Sequence, residues 1–342
     1  MTASNDSHAP YYVGVDLGGT NVKIGVIDDR GKTLAFLSIP TDAAQGAENT
    51  TQRMGAAVLK AIEQAHLQPE AIARVGLGSP GTMDIPAGML LEPVNMPTWR
   101  NYPIRDRLSH HCGLPVTFAN DAAAAAYGEF WVGGGKSLAS IVFLTLGTGV
   151  GGGIIVGGRS IDGEHSHGAE CGHLIIDYHD TARMCGCGQR GHLEAYASAT
   201  AVIQRTQEAL DAGGQSGLTA ELAAGKKLTP LLIAQQAEAG DAFSLEIILE
   251  TARYLGIGVV SFMHTIDPAG VILGGAMTFG GQNSPLGRQF IDRVRQEVRQ
   301  RAFPVPAQKT KLEFATLGAD AGFIGAAGLA RAHDRRAEGL TL

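Results

Sequence analysis

Apolar runs along this chain are broken at glycine clusters, and the alternation between them predicts its elements. Tyr11 to Asp16 reads as a buried strand running straight into Gly18-Gly19-Thr20. Asn21 to Asp28 resumes as a second strand, Asp28 to Gly31 turns, and Lys32 to Ile39 makes a third. Together these form a β-meander whose first turn is glycine-rich. Apolar residues at helical spacing (Met54, Ala57, Val58, Ala61, Ile62, Ala65) predict a helix over Thr50 to His66. A strand at Ala73 to Gly78 follows, then a loop from Leu90 to Trp99 that holds two prolines. Ile104 to Cys112 is a short helix, Pro115 to Ala119 a strand, and Ala122 to Val132 an alanine-rich helix.

A second block starts at Ser140. Strand Ser140 to Leu146, glycine turn Gly147 to Gly152 and strand Gly153 to Val156 repeat the opening plan. Such an echo predicts two related α/β lobes with a cleft between them. From Glu194 the pattern is mostly helical, through about Leu210, then Leu228 to Ala237 and Ala242 to Ile266, with a loose excursion from Ala212 to Gly225. Pro268 to Leu273 is a strand ending in Gly274-Gly275-Ala276, and Ala319 to His333 closes the chain as a small-residue helix. The expected division is an N-terminal lobe over 11–122, a C-terminal lobe over 123–318, and a helix at 319–335 packing back on the first lobe.

Composition narrows the class. The 342 residues are 44% hydrophobic and 18% charged, enough for packed cores, and the formal charge of -6 favours neither nucleic acid nor an anionic membrane as partner. Basic residues are dispersed except for Arg293 to Arg301, which reads as the solvated face of a helix. No run offers the ~18 consecutive apolar residues of a membrane span. The polar first ten residues lack an apolar signal core, so a cytoplasmic protein is the simplest reading. Cys171, Cys185 and Cys187 cluster while Cys112 stands alone, which in that compartment points to metal rather than to disulfides.

The glycine turns carry the first candidate chemistry. Backbone N–H groups reach phosphate oxygens only where no Cβ intervenes, and Gly18 and Gly19 provide that. Thr20 adds a hydroxyl, and Asp16 at the strand end can hold Mg²⁺ directly or through water. A tight hairpin with an aspartate cap would use the same residues. The second turn, Leu146-Gly147-Thr148-Gly149-Val150-Gly151-Gly152-Gly153, has five glycines in seven residues between apolar strands, a weakness that calls for a compensating role. A second phosphate loop is the economical one, and Gly274-Gly275 could seat an adenosine. Asn120-Asp121 stands where a strand meets the alanine-rich helix. There Asp121 could cap the helix, or serve as a general base with Asn120 bonding the same substrate.

The strongest signal is Gly168 to His173 followed by Cys185 to Glu194. Two thiolates and two imidazoles from His173, Cys185, Cys187 and His192 make a closed tetrahedral Zn²⁺ set, with His165, His167 and His179 leaving the choice of imidazole open. Glu170 and Glu194 flank the ligands without being needed as ligands. Carboxylates on a stapled loop suit recognition of vicinal sugar hydroxyls.

Taken together, these motifs resemble the ROK family of sugar kinases and repressors, within the actin/hexokinase-like ATPases, from about Tyr12 to His333. The resemblance implies a two-lobed, actin-like or ribonuclease-H-like α/β fold. It gives Asp16, Gly18, Gly19, Thr20 and Lys23 to a first phosphate motif, Gly147, Thr148, Gly149 and Gly151 to a second, and Gly274 and Gly275 to an adenosine motif. It makes Asp121 the catalytic base and places Gly81, Asn95, Asn120, Glu170, His173 and Glu194 on the sugar, with His173 also a zinc ligand. The family's zinc motif usually ends in a third cysteine, where this chain has His192. ATP, Mg²⁺ and a structural Zn²⁺ are the implied cofactors, a homodimer the implied assembly, and phosphorylation of a hexose at its 6-hydroxyl the implied activity. Glucose is the favoured hexose, with N-acetylmannosamine, N-acetylglucosamine and fructose as rivals. Family repressors carry a DNA-binding segment ahead of the sugar-binding lobes. With the first phosphate strand starting at Tyr11 and no basic patch, a non-catalytic sugar sensor is the weaker expectation.

Overall fold

The computed structural model describes residues 7–93 and 96–340, so Asn95 lies outside the described residues. The first sheet is built from β1 (Tyr11–Leu17), β2 (Asn21–Ile27), β3 (Thr33–Pro40), β4 (Ile72–Ser79) and β7 (Val116–Asn120), and a small hairpin from β5 (Thr82–Asp84) and β6 (Met89–Glu92). Helices α1 (Ala47–Gln64), α2 (Ile104–Cys112) and α3 (Asp121–Trp131) alternate with them. The second sheet contains β8 (Ser140–Leu146), β9 (Val150–Val156), β10 (Arg159–Ser160), β11 (Gly270–Gly274) and β12 (Lys311–Phe314). Its helices are α4 (Glu194–Ala197), α5 (Ala199–Asp211), α6 (Leu218–Ala223), α7 (Pro230–Glu238), α8 (Ala242–Ile266), α9 (Pro285–Arg301) and α10 (Pro304–Lys309), and α11 (Ala321–Ala337) ends the chain. The sheets run β3-β2-β1-β4-β7 and β10-β9-β8-β11-β12, so each repeats one plan with its first strand in the middle.

Among the elements that depart from the sequence pattern, besides β5, β10 and α10, three are instructive. The segment from Leu90, expected as loop, begins in β6, a four-residue strand too short to show alternation. The loose excursion after Ala212 contains the single-turn helix α6, whose one buried residue is Leu218. Strand β12, Lys-Leu-Glu-Phe, has charged residues at alternate positions and pairs on one side only, with β11. None of these segments buries enough apolar surface to write a period into the sequence.

The contacts divide the chain into two compact units, one of residues 1–140, 153–169 and 316–342, the other of 141–152 and 170–315. In the first unit, β1 alternates cleanly. Val13, Val15 and Leu17 share a buried cluster with Met54, Val58 and Ile62 of α1, whereas Tyr12 packs with Phe323, Ile324 and Ala327 of α11. The strand period of two therefore turns Asp16 toward α11 as well.

What brings α11 so close is a row of three glycines. Gly14 of β1 pairs with Gly25 of β2 and with Gly76 of β4, one beside the next across the sheet. A Cβ at Gly14 would lie 1.7 Å from the Phe323 carbonyl oxygen, one at Gly76 would lie 1.8 Å from that of Ala326, and one at Gly25 would strike the Phe323 ring. The segment entering α11 is seated by the buried Glu129 of α3, whose carboxylate accepts the backbone N–H groups of Thr316 at 3.0 Å and Leu317 at 2.7 Å. In the second unit, β11 lies parallel between β8 and β12, and α8 packs on α7 and α9. No helix of the described residues is long and apolar enough to cross a membrane.

The glycine row makes a direct prediction. Gly14→Val should push α11 off the sheet and destabilise the protein by about 3 kcal/mol or more, because the obstacle is backbone that cannot rotate away. Urea unfolding of the variant against the unsubstituted chain measures this, and a midpoint within error of the original contradicts it.

Candidate active site

The first glycine turn lies in the first unit. Gly18 N–H closes it on the Asn21 carbonyl at 3.0 Å, the Thr41 hydroxyl donates to Gly18 O, and Gly19 and Thr20 are left exposed. Lys23 pairs across the strands with Asp16, and its ammonium donates to the Ala319 carbonyl just ahead of α11. Asp16 sits against Gly322, where a Cβ would be 2.4 Å from its Oδ2. Burial pushes the Asp16 carboxyl up to about 6, the charge of Asp121 adds to the effect, and Lys23 opposes it.

Asn120 and Asp121 both bond the start of α3. Asn120 is the cap of α3, its Oδ1 accepting the N–H groups of Ala122 at 2.9 Å and Ala123 at 3.1 Å. Asp121 is the first helical residue, with Oδ1 accepting from Ala122 N–H at 2.8 Å. Both side chains thus accept N–H groups of the first turn, and the charge of the Asp121 carboxylate is felt at Asp16. Gly81 follows β4, whose Ser79 is in register with Asn120. Its φ of 97° is in the left-handed region, and a Cβ there would meet Pro93.

The second unit holds the other glycine turns. Gly147 N–H bonds Gly149 O at 3.0 Å, while Ala199 N–H and the Thr200 hydroxyl hold the Gly147 and Thr148 carbonyls from α5. Gly275, with φ of 89°, lets the turn after β11 lie on Leu146, and Met277 N–H bonds the Leu146 carbonyl at 3.0 Å. A cavity of about 550 Å³ opens beside both turns, with Gly147, Thr148, Leu231, Gln235, Ala276 and Phe279 in its wall. The α7 side of that wall went unseen in the sequence, because a short amphipathic helix carries no motif. Gly151 lies in β9 beyond the turn.

Also in the second unit, His173, Cys185, Cys187 and His192 bring their donor atoms within 4.8 Å of one another. Cys187 Sγ is 3.3 Å from His192 Nδ1, Cys185 Sγ is 3.8 Å from His173 Nδ1, and the two Nδ1 atoms are 3.2 Å apart. A tetrahedral zinc ion, with bonds of about 2.3 Å to sulfur and 2.0–2.1 Å to nitrogen, sets these edges near ~3.6 and ~3.3 Å. The residues present therefore fit zinc. His165, His167 and His179 are not in the cluster. Burial, then the neighbouring His173, holds His192 below the usual imidazole range, which favours the neutral ligand form.

Glu194, the first residue of α4, reaches both features of this unit. Its Oε2 accepts Val150 N–H from the glycine turn at 2.9 Å, and its Oε1 lies 3.5 Å from Cys185 Sγ. A Cβ on Gly149 would fall 2.2 Å from the same Oε2. Glu170 is exposed, one position before a short 3₁₀ turn over Cys171–His173.

The ROK family model matches residues 12–333 of this sequence. The chain belongs to the ROK family. A glucokinase of Halalkalibacterium halodurans is 32% identical over 328 residues, covering 96% of this chain and 97% of the relative. Among solved structures, a ROK hexokinase from Thermus thermophilus aligns at 31% identity with a TM-score of 0.80, covering 95% of this chain and 99% of that one. A ROK family glucokinase from Streptomyces griseus, solved in complex with glucose and AMPPNP, aligns at 32% identity with a TM-score of 0.73, covering 94% and 99%. The ROK sugar kinases thus share this mixed α/β, actin-like fold.

Two outcomes follow for this ROK chain. Because the folded state raises the Asp16 carboxyl, ionising that group destabilises the protein at high pH and does so less and less as pH falls through about 6. In the ligand-free protein Asp16→Asn should then raise stability by on the order of 1–3 kcal/mol at pH 8, with the gain shrinking toward pH 4. Urea midpoints across that range decide it, and a gain independent of pH contradicts the electrostatic cause. For the Cys/His cluster, protein purified without chelator should contain about one zinc per chain by elemental analysis. His192→Ala should lose it and His192→Cys should keep it; full retention in the alanine variant would remove His192 from the ligand set.

Proposed function

We propose that this chain phosphorylates glucose at its 6-hydroxyl with ATP as donor. The observation that carries the reading is the pairing of Asn120 and Asp121 at the start of α3, in which Asn120 is the cap and the charge of the Asp121 carboxylate is felt at Asp16. Near full-length similarity to glucokinases, and to one solved with glucose and AMPPNP, supports the choice of sugar and of donor.

In this reading Asp121 is the general base. It takes the proton of the 6-hydroxyl as the new oxygen–phosphorus bond forms and the bond from the γ-phosphorus to its bridging oxygen breaks, releasing ADP. Glu170, His173 and Glu194 accept or share hydrogen bonds with the sugar hydroxyls, and the amide N–H groups of Asn120 donate to another. Gly81 and Asn95 belong to the same proposal as sugar contacts. Gly18, Gly19 and Thr20 with Lys23, and Gly147, Thr148, Gly149 and Gly151, bind the phosphates, while Gly274 and Gly275 border the adenosine. Asp16 would hold Mg²⁺. The buried carboxyl next to a second carboxylate suits a divalent cation, whose charge offsets both burial and repulsion. When bound, Mg²⁺ neutralises charge developing on the phosphates. His173, Cys185, Cys187 and His192 would hold a structural Zn²⁺ that fixes the loop before Glu194.

Asp121→Asn tests the base. It keeps the size of the side chain and removes its proton acceptance, so kcat for glucose 6-phosphate formation should fall about 10²- to 10⁴-fold. Glucose affinity, measured by calorimetry, should change far less. Turnover close to that of the unsubstituted enzyme would reduce Asp121 to a structural residue and end this mechanism.

A further inference from the structure

Tyr196 stands two residues beyond Glu194 on α4, with its ring buried against Tyr254 of α8 at a centroid distance of 4.8 Å. Its hydroxyl donates to Asp177 Oδ2 at 2.6 Å and accepts the Arg183 backbone N–H at 2.9 Å. One phenol oxygen thereby joins α4 to two separate points of the metal-ligand loop, one after His173 and one just before Cys185. The Tyr196 carbonyl is gripped as well, by Arg205 Nη1 at 3.0 Å, and the same nitrogen donates to Thr251 Oγ1 at 2.9 Å.

Helix α4 has only four residues, Glu194–Ala197. A single turn cannot hold its own orientation, since nucleation costs more than one turn of hydrogen bonds returns. The Glu194 carboxylate is fixed at its tip by Val150 N–H and at its base by whatever holds that turn. The metal-ligand loop, by contrast, closes on itself without Tyr196: Cys185 N–H bonds Gln189 O at 2.8 Å, Gly191 N–H bonds Arg183 O at 3.0 Å, and Leu193 N–H bonds Leu174 O at 2.8 Å.

We infer that Tyr196 is a positioning residue for the sugar, its hydroxyl latching α4 to Asp177 and Arg183 so that Glu194 stays aimed. The inference rests on reading Glu194 as a sugar ligand. The latch lies outside the metal-ligand set, so loosening it should turn the carboxylate without emptying the metal site. A hydrogen bond to an ionised partner such as Asp177 is among the stronger ones, and its loss should be read in substrate binding.

Tyr196→Phe keeps the ring and deletes only the hydroxyl. It should raise the glucose KM about tenfold while kcat and the ATP KM stay within about twofold and zinc content is unchanged. Asp177→Ala should reproduce that effect, and Asp177→Asn, which keeps an acceptor oxygen, should restore a nearly native KM. The double variant Tyr196→Phe with Asp177→Ala should be no worse than either single one, as expected of two ends of one bond. Glu194→Gln serves as the reference. If Glu194→Gln raises the glucose KM and Tyr196→Phe does not, the latch is overturned. Loss of zinc from Tyr196→Phe also overturns it, making the tyrosine a support of the metal loop instead. If Glu194→Gln itself leaves the glucose KM unchanged, the sugar-binding reading of Glu194 has failed and takes the inference with it.

Discussion

The carboxylate of Glu194 is held between a glycine turn and a metal-ligand cluster, the two features on which the proposed chemistry of the second unit depends. One oxygen takes the Val150 N–H and fills the space where a Gly149 side chain would be. The other approaches Cys185. Gly149 is therefore required to leave room for the carboxylate behind it, beside the phosphate role proposed for the turn. A side chain at Gly149 would have to displace Glu194. In the proposed reading Glu194 serves the sugar while its carboxylate bonds Val150 N–H, so that reading depends on a single well-placed carboxylate.

In the first unit the corresponding constraint is backbone proximity. The glycine row across β2, β1 and β4 draws α11 onto the sheet, and the strand alternation that faces Gly14 toward α11 also faces Asp16 there. A carboxylate buried against Gly322 and close to Asp121 is unfavourable as an ion, which is why its titration is displaced to about 6. That electrostatic cost is local, and packing of α11 elsewhere on the sheet sustains it.

Much of this was legible in the sequence. Strand alternation located β1, β2, β4, β7, β8 and β11, and glycine clusters marked the turns, because both signals are local in the chain. The ligand cluster was legible for the same reason, since its residues fall within twenty positions, His173 to His192. Less was visible where a role depends on register or on a partner far away. The sequence offered Asp121 as the cap of α3, whereas the cap is Asn120, one position earlier. The row Gly14, Gly25 and Gly76 exists only once three strands are aligned. Strand β12, the α7 wall of the cavity and the bond from Tyr196 to Asp177 have no local signature at all, each being made by residues that are ordinary in their own neighbourhoods.

The account is tested most directly by ATP-dependent phosphorylation measured across a hexose panel. As the proposed sugar ligands, Glu170 and Glu194 would, when ionised, accept hydrogen bonds only, calling for hydroxyl donors on the sugar and leaving an unpaired acceptor where a hydroxyl is missing. Glucose should be phosphorylated at its 6-hydroxyl with a higher kcat/KM than N-acetylmannosamine, N-acetylglucosamine or fructose. An N-acetylhexosamine preferred by about tenfold would contradict the assignment of glucose, and failure of every hexose to accept phosphate from ATP would contradict the account as a whole.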